Sequence, residues 1–187
     1  MDEVTQEISD ERLISAALAG DDGAFARLVG RHKRRVFGLA YRFARDHDEL
    51  EDICQEVFIK VYEKLGTFRG EAPFEHWVTK ITVRVCHDAL RARRHEKHSL
   101  ALDDKAFDIK DDAEALRSKA RQARELLRWA MGFLAPDQRL VITLMELEEM
   151  TLRETAGMTG WSESNVKVRA FRARQALRKI LEKNDAR

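Results

Sequence analysis

Residues 151–174 read TLRETAGMTGWSESNVKVRAFRAR. The stretch holds two helical patterns around one break. Leu152, Thr155 and Ala156 suit one face of a short helix, and Gly160 is free to take the left-handed backbone that ends one. Ser162 is a good N-cap for a second helix, and Glu163 places a negative charge at its positive end. Trp161 fits as a plug between the two. At about 100° per residue, Val166, Ala170, Ala173, Leu177, Ile180 and Leu181 form one apolar stripe on the second helix. Ser164, Lys167, Val168, Phe171, Arg172, Gln175 and Arg178 lie opposite. Val168 and Phe171 are therefore apolar residues in the middle of a basic, outward face. A merely solvated face has no use for them. A helix in a DNA major groove does: apolar side chains touch thymine methyls while Lys and Arg reach phosphates or guanine. The competing reading is that Phe171 packs on another element of the same chain.

Working outward, the remaining 187-residue sequence is helical in pattern. Apolar residues recur at helical spacing over 10–19, 24–45, 48–65 and 74–94, with breaks at Gly20-Asp21-Asp22-Gly23 and in the loop 66–73. Residues 95–114 then carry few large apolar side chains and many acids, the signature of a tether. Periodicity returns over 116–134, then from Pro136, suited to a helix first turn, to Met150, and in 152–158 and 163–183. The expected fold is all-α: two small helical domains joined by an acidic linker, with a helix-turn-helix in the second. The expected division is 1–94, 95–115 and 116–187.

With 44% hydrophobic and 36% charged residues, the chain is too apolar for a disordered protein and too charged for a membrane one. No apolar run approaches the roughly 20 residues of a membrane span. The acidic opening Met1-Asp2-Glu3 lacks the basic-then-apolar pattern of a signal peptide. The expectation is a cytoplasmic protein with no membrane insertion. Cys54 and Cys86 are then expected as free thiols acting as small apolar filler.

The net charge of +1 conceals strong segregation. Residues 1–30 sum to −5, 31–45 to +6, 46–63 to −6, 64–98 to +4, 99–114 to −4, 115–150 to +1 and 151–187 to +5. Blocks of this kind suit separate surfaces with separate partners, or else helices with one-signed solvated faces.

Residues 49–65 read ELEDICQEVFIKVYEKL, with Leu50, Ile53, Val57, Val61 and Leu65 as the inward stripe. The other face holds Asp52, Gln55, Glu56, Ile59 and Glu63, an acidic patch around an exposed aliphatic, with Phe58 beside it. That composition suits protein docking, although a solvated face is the plain alternative. Residues 66–94 read GTFRGEAPFEHWVTKITVRVCHDALRARR. Phe68, Phe74, His76 and Trp77 interleave with Arg69, Lys80, Arg84, Arg91, Arg93 and Arg94. Stacking platforms beside phosphate partners are what single-stranded nucleic acid needs; the alternative places Phe74 and Trp77 in the core.

These segments together resemble the bacterial extracytoplasmic-function (ECF) sigma factors of the sigma-70 superfamily. EDICQEVFIKVY (51–62) resembles the family's core-polymerase-binding helix in region two. TFRGEAPFEHWVTKI (67–81) resembles the loop and helix that melt and read the promoter's minus-ten element. TLRETAGMTGWSESNVKVRAFRARQALR (151–178) resembles region four, the minus-thirty-five reader, and AALAGDDGAFARLVGRHKRRVF (16–37) the family's usual opening. The resemblance implies that Asp52, Gln55, Glu56, Phe58 and Ile59 face the clamp helices of the polymerase's largest subunit, with the flap region as a further contact. It implies that Phe68, Arg69, Phe74, His76, Trp77, Lys80 and Arg84 meet melted minus-ten DNA, and that loop 66–74 holds an extruded base. Ser164, Asn165, Lys167, Val168, Arg169, Phe171 and Arg172 would meet the minus-thirty-five groove. An anti-sigma factor is implied as a further partner. Two departures stand out: Arg84 replaces the Asn of many relatives, bearing on minus-ten preference, and Trp161 replaces a commoner aliphatic.

No nucleophile–base pair, phosphate-cradling glycine loop or acid pair at enzyme spacing is present, so the expectation is no enzyme and no cofactor. Cys86-His87 with His95 and His98 fits no standard zinc spacing, and no metal is expected. Two other classes fit parts of the pattern. An autonomous helix-turn-helix regulator shares residues 151–174 but has no need of an acidic docking helix. A helical adaptor without a DNA role leaves Val168 and Phe171 unexplained.

Overall fold

Helix boundaries here follow local chemistry more closely than hydrophobic periodicity does. The computed structural model of the chain describes residues 8–97 and 116–185, with side-chain surroundings for 8–94 and 122–184. The expected tether began at 95, but residues 95–97 continue the fourth helix; the rest of that stretch, 98–115, lies outside the described residues. Regular structure among the described residues is helical throughout: α1 (Asp10–Leu18), α2 (Asp22–Tyr41), α3 (His47–Lys64), α4 (Phe74–Lys97), α5 (Leu116–Gly132), α6 (Pro136–Ile142), α7 (Leu152–Thr159) and α8 (Glu163–Asp185). A 3-10 turn follows α3 at Leu65–Thr67, and a π turn follows α6 at Thr143–Leu147.

Two boundaries depart from the periodicity. The apolar pattern places the second helix over 24–45, but α2 begins at Asp22 because the Asp21 carboxylate caps it, accepting the Ala24 N–H at 3.1 Å. It ends at Tyr41, where Phe43 N–H turns back to Ala40 O at 2.9 Å. That tighter turn sends Phe43 into the core, where it is 0% exposed. Burying a phenylalanine is worth about 1.5–3 kcal/mol, more than the helical hydrogen bonds forgone. The sixth helix was expected to reach Met150; it gives way instead to the π turn, and Glu149 takes a left-handed φ of 54°.

The chain divides into two compact units, Met1–Ala44 with Asp48–Cys86, and Arg45–His47 with His87–Arg187. In the first, α2 and α3 bury matching stripes: Leu28, Val36 and Leu39 from one, Leu50, Ile53, Val57 and Val61 from the other. The start of α4 adds Phe74, Val78 and Ile81. In the second unit, Met131, Leu134, Ile142 and Ala173 cluster, with Leu127, Leu177 and Ile180 packed around them. The inward stripe of α8 read from the sequence is inward here: Val166, Ala170 and Ala173 are buried and Leu177, Ile180 and Leu181 half-buried.

Candidate functional site

Three surfaces carry the residues singled out by the sequence. On α3, the buried stripe of Leu50, Ile53, Val57 and Val61 forces the intervening residues outward. Asp52 and Gln55 are exposed, Phe58 is half-buried, and Glu56 holds Lys60 one turn on at 2.7 Å. Ile59 is 45% exposed in the middle of these charges. Tyr62, one turn further, extends the apolar strip at 55% exposure and meets Phe25 of α2 edge-on, centroids 4.9 Å apart. The sequence reading missed this pair, although Tyr62 stands three residues after Ile59 and so on the same helix face.

The second surface surrounds the loop before α4. Pro73 starts that helix by offering its carbonyl to His76 and Trp77, at 3.0 and 3.3 Å. Gly70 bends the loop with a φ of +72°, a conformation open to glycine. Phe74 is buried, 4% exposed, and anchors an aromatic cluster. Trp77 stacks on it at 5.5 Å with an interplanar angle of 25°, while Phe68 meets Phe74 and Trp77 edge-on at 5.3 and 5.6 Å. The core alternative therefore describes Phe74 but not Trp77. Phe74 is core; Phe68 and Trp77 are half-buried rings on that core. Arg69, His76 and Arg84 are exposed and Lys80 half-buried. Trp77, Lys80 and Arg84 fall at i, i+3 and i+7, one stripe of α4. The stripe combines a ring face with two cations, the chemistry of a strand of unstacked bases.

The third surface is α8 with α7 in front of it. Thr151 and Glu154 form a reciprocal capping box: Thr151 Oγ1 accepts the Glu154 N–H at 3.2 Å, and the Thr151 N–H donates to Glu154 Oε2 at 2.8 Å. Gly160 ends α7 with a φ of +77°, and Ser162 Oγ then accepts the Asn165 N–H at 3.3 Å to start α8. The outward face is as the spacing predicts. Ser164, Lys167, Val168, Phe171, Arg172, Gln175 and Arg178 are all exposed, Val168 at 47% and Phe171 at 63%. The alternative in which Phe171 packs internally is not what the fold shows.

Arg169 and Asn165 stand apart from that face. The Arg169 guanidinium lies 4.3 Å above the Trp161 ring and donates to Asp137 Oδ2 from Nε at 3.1 Å and Nη2 at 3.0 Å. Its remaining nitrogen bonds the Asn165 amide oxygen. Asp137 and Trp161 thus hold Arg169 on the flank of α8 rather than on its front. Nothing in the local spacing of α8 signalled this, because Asp137 comes from 32 residues upstream.

On α5 and in the turn that follows it, the apolar strip of Leu126, Trp129 and Phe133 is exposed at 36%, 43% and 61%, Trp129 and Phe133 meeting edge-on at 4.9 Å. Among the described residues no three His, Cys, Asp or Glu side chains cluster as a metal site, and no helix is long and apolar enough to cross a membrane. Burial, with Glu51 nearby as a second cause, pushes the Cys54 thiol up to about 11.

Residues 28–96 match the family model of Sigma-70 region 2, and residues 116–177 that of Sigma-70, region 4. The chain is 32% identical over 187 residues to the RNA polymerase sigma-H factor of Pseudomonas aeruginosa, covering 96% of each chain. It is 30% identical to the ECF RNA polymerase sigma factor SigM of Mycobacterium tuberculosis, over 94% of this chain and 86% of the relative. It is 29% identical to the ECF RNA polymerase sigma-E factor of Escherichia coli, over 93% and 95%. In structure it is similar to CnrH, solved with the cytosolic domain of CnrY, at a TM-score of 0.60 and 26% identity, over 92% of this chain and 97% of that one. It shares its fold with the sigma factor RpoE of Bartonella quintana, solved with the anti-sigma factor NepR, at a TM-score of 0.63 and 20% identity over 84% and 96%. The chain belongs to the sigma-70 family, in its ECF group: it is an alternative sigma factor, of a family of non-catalytic transcription-initiation factors.

Proposed function

We propose that the three surfaces divide the work of promoter-specific initiation. The α3 face, with Asp52, Gln55, Glu56, Phe58 and Ile59, docks on the clamp helices of core RNA polymerase. The aromatic and basic stripe around Phe68, Arg69, His76, Trp77, Lys80 and Arg84 takes the separated minus-ten strand. The front of α8, with Ser164, Lys167, Val168, Phe171 and Arg172, reads the minus-thirty-five duplex, while Arg169 braces that helix through Asp137 and Trp161. The working division is 1–94 for docking and melting, 95–115 as tether and 116–187 for duplex reading. The tether's acidity suits a segment lying in a basic polymerase channel. Chemistry stays with the polymerase, so the chain needs no active site of its own, and it works in the cytoplasm. The flap region would take the second unit, and an anti-sigma factor would hold the chain inactive by covering its exposed apolar faces; the complex solved for RpoE is a precedent for such a partner.

The observation that carries this reading is the placement of Val168 and Phe171, 47% and 63% exposed among cations on α8. Water does not select such residues there; a groove lined by thymine methyls does. The test is a pull-down of core RNA polymerase by the wild-type chain and by Asp52→Arg with Glu56→Arg, circular dichroism confirming that both fold. The wild type is expected to bind and the double variant to lose binding. Should neither bind, with no inhibitor co-purified, the autonomous regulator becomes the better account.

A further inference from the structure

A buried histidine ties the first helix to the aromatic cluster, and nothing in the surfaces above uses it. His32 on α2 is 7% exposed. Its Nε2 donates to Asp10 Oδ2 of α1 at 3.0 Å. The other oxygen of the same carboxylate takes Arg31 Nη1, and Arg31 Nη2 donates to the Ile8 carbonyl at 2.8 Å. On its other side the imidazole meets Phe74 edge-on, with centroids 5.2 Å apart and planes at 71°. Phe74 in turn is the ring on which Trp77 stacks and against which Phe68 stands. A chain of contacts therefore runs from Asp10 through His32 and Phe74 to the two half-buried rings.

An aliphatic side chain would fill the place of His32 without needing a polar partner. A histidine there adds one thing, a fixed ring plane. Its nitrogen is held by a carboxylate that Arg31 holds in turn, so the imidazole cannot rotate without breaking a half-buried hydrogen bond. An edge-to-face contact is directional, so a fixed imidazole fixes the tilt of Phe74. The tilt of Phe74 sets that of Trp77, stacked on it.

We propose that Asp10 and His32 are positioning residues for base recognition: α1, through this carboxylate–imidazole link, sets the ring geometry of Phe68, Phe74 and Trp77 and so the shape offered to an unstacked base. This rests on the reading of that cluster as the minus-ten surface.

The test uses holoenzyme assembled from core RNA polymerase and the full chain. Fork-junction DNA, randomised over its single-stranded minus-ten positions, is enriched on wild-type holoenzyme, and the recovered sequence is the probe. Asp10→Ala, Asp10→Asn, His32→Gln and Phe68→Ala are then compared. Asp10→Ala is expected to keep core binding, to weaken strand capture by about tenfold and, on reselection, to relax the preference for one base. A residue that only supported the fold would lower affinity without changing which base is preferred. Asp10→Asn keeps an oxygen for His32 and is expected to restore capture. His32→Gln keeps a donor for Asp10 but offers Phe74 no ring, and is expected to behave as Asp10→Ala does; it carries the comparison if Asp10→Ala loses its helical signal. Unchanged capture and base preference in Asp10→Ala and His32→Gln, with Phe68→Ala impaired, overturns the positioning role and leaves the minus-ten surface standing. A loss that Asp10→Asn does not restore also overturns it, since charge and not the bond would then be at work. If Phe68→Ala captures the strand normally, the reading of the cluster falls and this proposal with it.

Discussion

Cys54 shows how much one position on α3 depends on its surroundings. Sequence alone presents a free thiol that serves as small apolar filler. In the fold it is half-buried beside Glu51, and both burial and that charge hold the proton on, pushing the group up to about 11. A shift of this size from the usual thiol value lowers the thiolate fraction at pH 8 on the order of 100-fold. Alkylation of Cys54 by iodoacetamide at pH 8 is therefore expected to be slow in the native chain and fast in urea; equal rates would refute the shielding. The sign of the stability effect follows. The unfolded thiol loses its proton at a lower pH than the folded one, so the contribution is intact below about pH 9 and is lost as the pH rises toward about 11. Arg169 and Arg172 make the complementary point. Three residues apart, they carry the same charge, and the family resemblance assigns both to the minus-thirty-five groove, although the spacing puts only Arg172 on the outward face. Only Arg172 faces outward, because Asp137 and Trp161 claim the other. One-dimensional spacing places a side chain on a helix face; it cannot say which distant acid will draw it sideways.

At the scale of elements, the inward faces of α3 and α8 were legible almost residue for residue, because each helix has one apolar stripe wide enough to admit one orientation. Helix ends were less so, since they are set by single caps. Asp21 starts α2 ahead of the apolar pattern, and the capping box of Thr151 and Glu154 starts α7. The two left-handed residues flanking α7 yield a matched prediction. Gly160 holds a φ of +77° with nothing within 4 Å of the space a Cβ would fill, so its substitution is opposed by backbone strain alone. Gly160→Ala is expected to destabilise the second unit by about 1–2 kcal/mol. Glu149, at a φ of 54°, occupies a position where glycine is the unstrained choice; the Met150 N–H closes back on Leu144 O across it at 3.0 Å. Glu149→Gly is expected to stabilise by about 0.5–1 kcal/mol. Thermal unfolding of both variants checks the pair: a fall in melting temperature for the first and a rise for the second. The π turn that separates α6 from this site was not read from the sequence, because a single wide turn of five residues is too short to establish a period of its own.

For the whole molecule, helical periodicity and the break at Gly160 made an all-α chain ending in a helix-turn-helix legible in the sequence. The bond between α1 and the aromatic cluster was not, because it joins residues 22 apart through a buried histidine that looks like any other in sequence. Two DNA-reading surfaces on one chain gain strength only when a third body fixes their separation. The free protein is therefore expected to bind promoter duplex weakly, with binding that weakens steeply from 50 to 200 mM salt and rises sharply when core polymerase is added. A fluorescence-anisotropy titration decides it; tight, sequence-specific binding by the free chain would count against the division of labour. The exposed apolar side chains, spread over α1, α3, the turn after α5 and α8, carry a consequence for the chain when it is alone. Leu18, Tyr62, Phe133 and Phe171 are each more than half exposed. The net charge of +1 and pI near 7.8 leave almost no electrostatic repulsion between copies at neutral pH. Colloidally, the unaccompanied protein is poorly protected against sticking to itself. Its tolerable concentration in the free state is low, and a companion that covers these side chains would act as a solubiliser as much as a regulator.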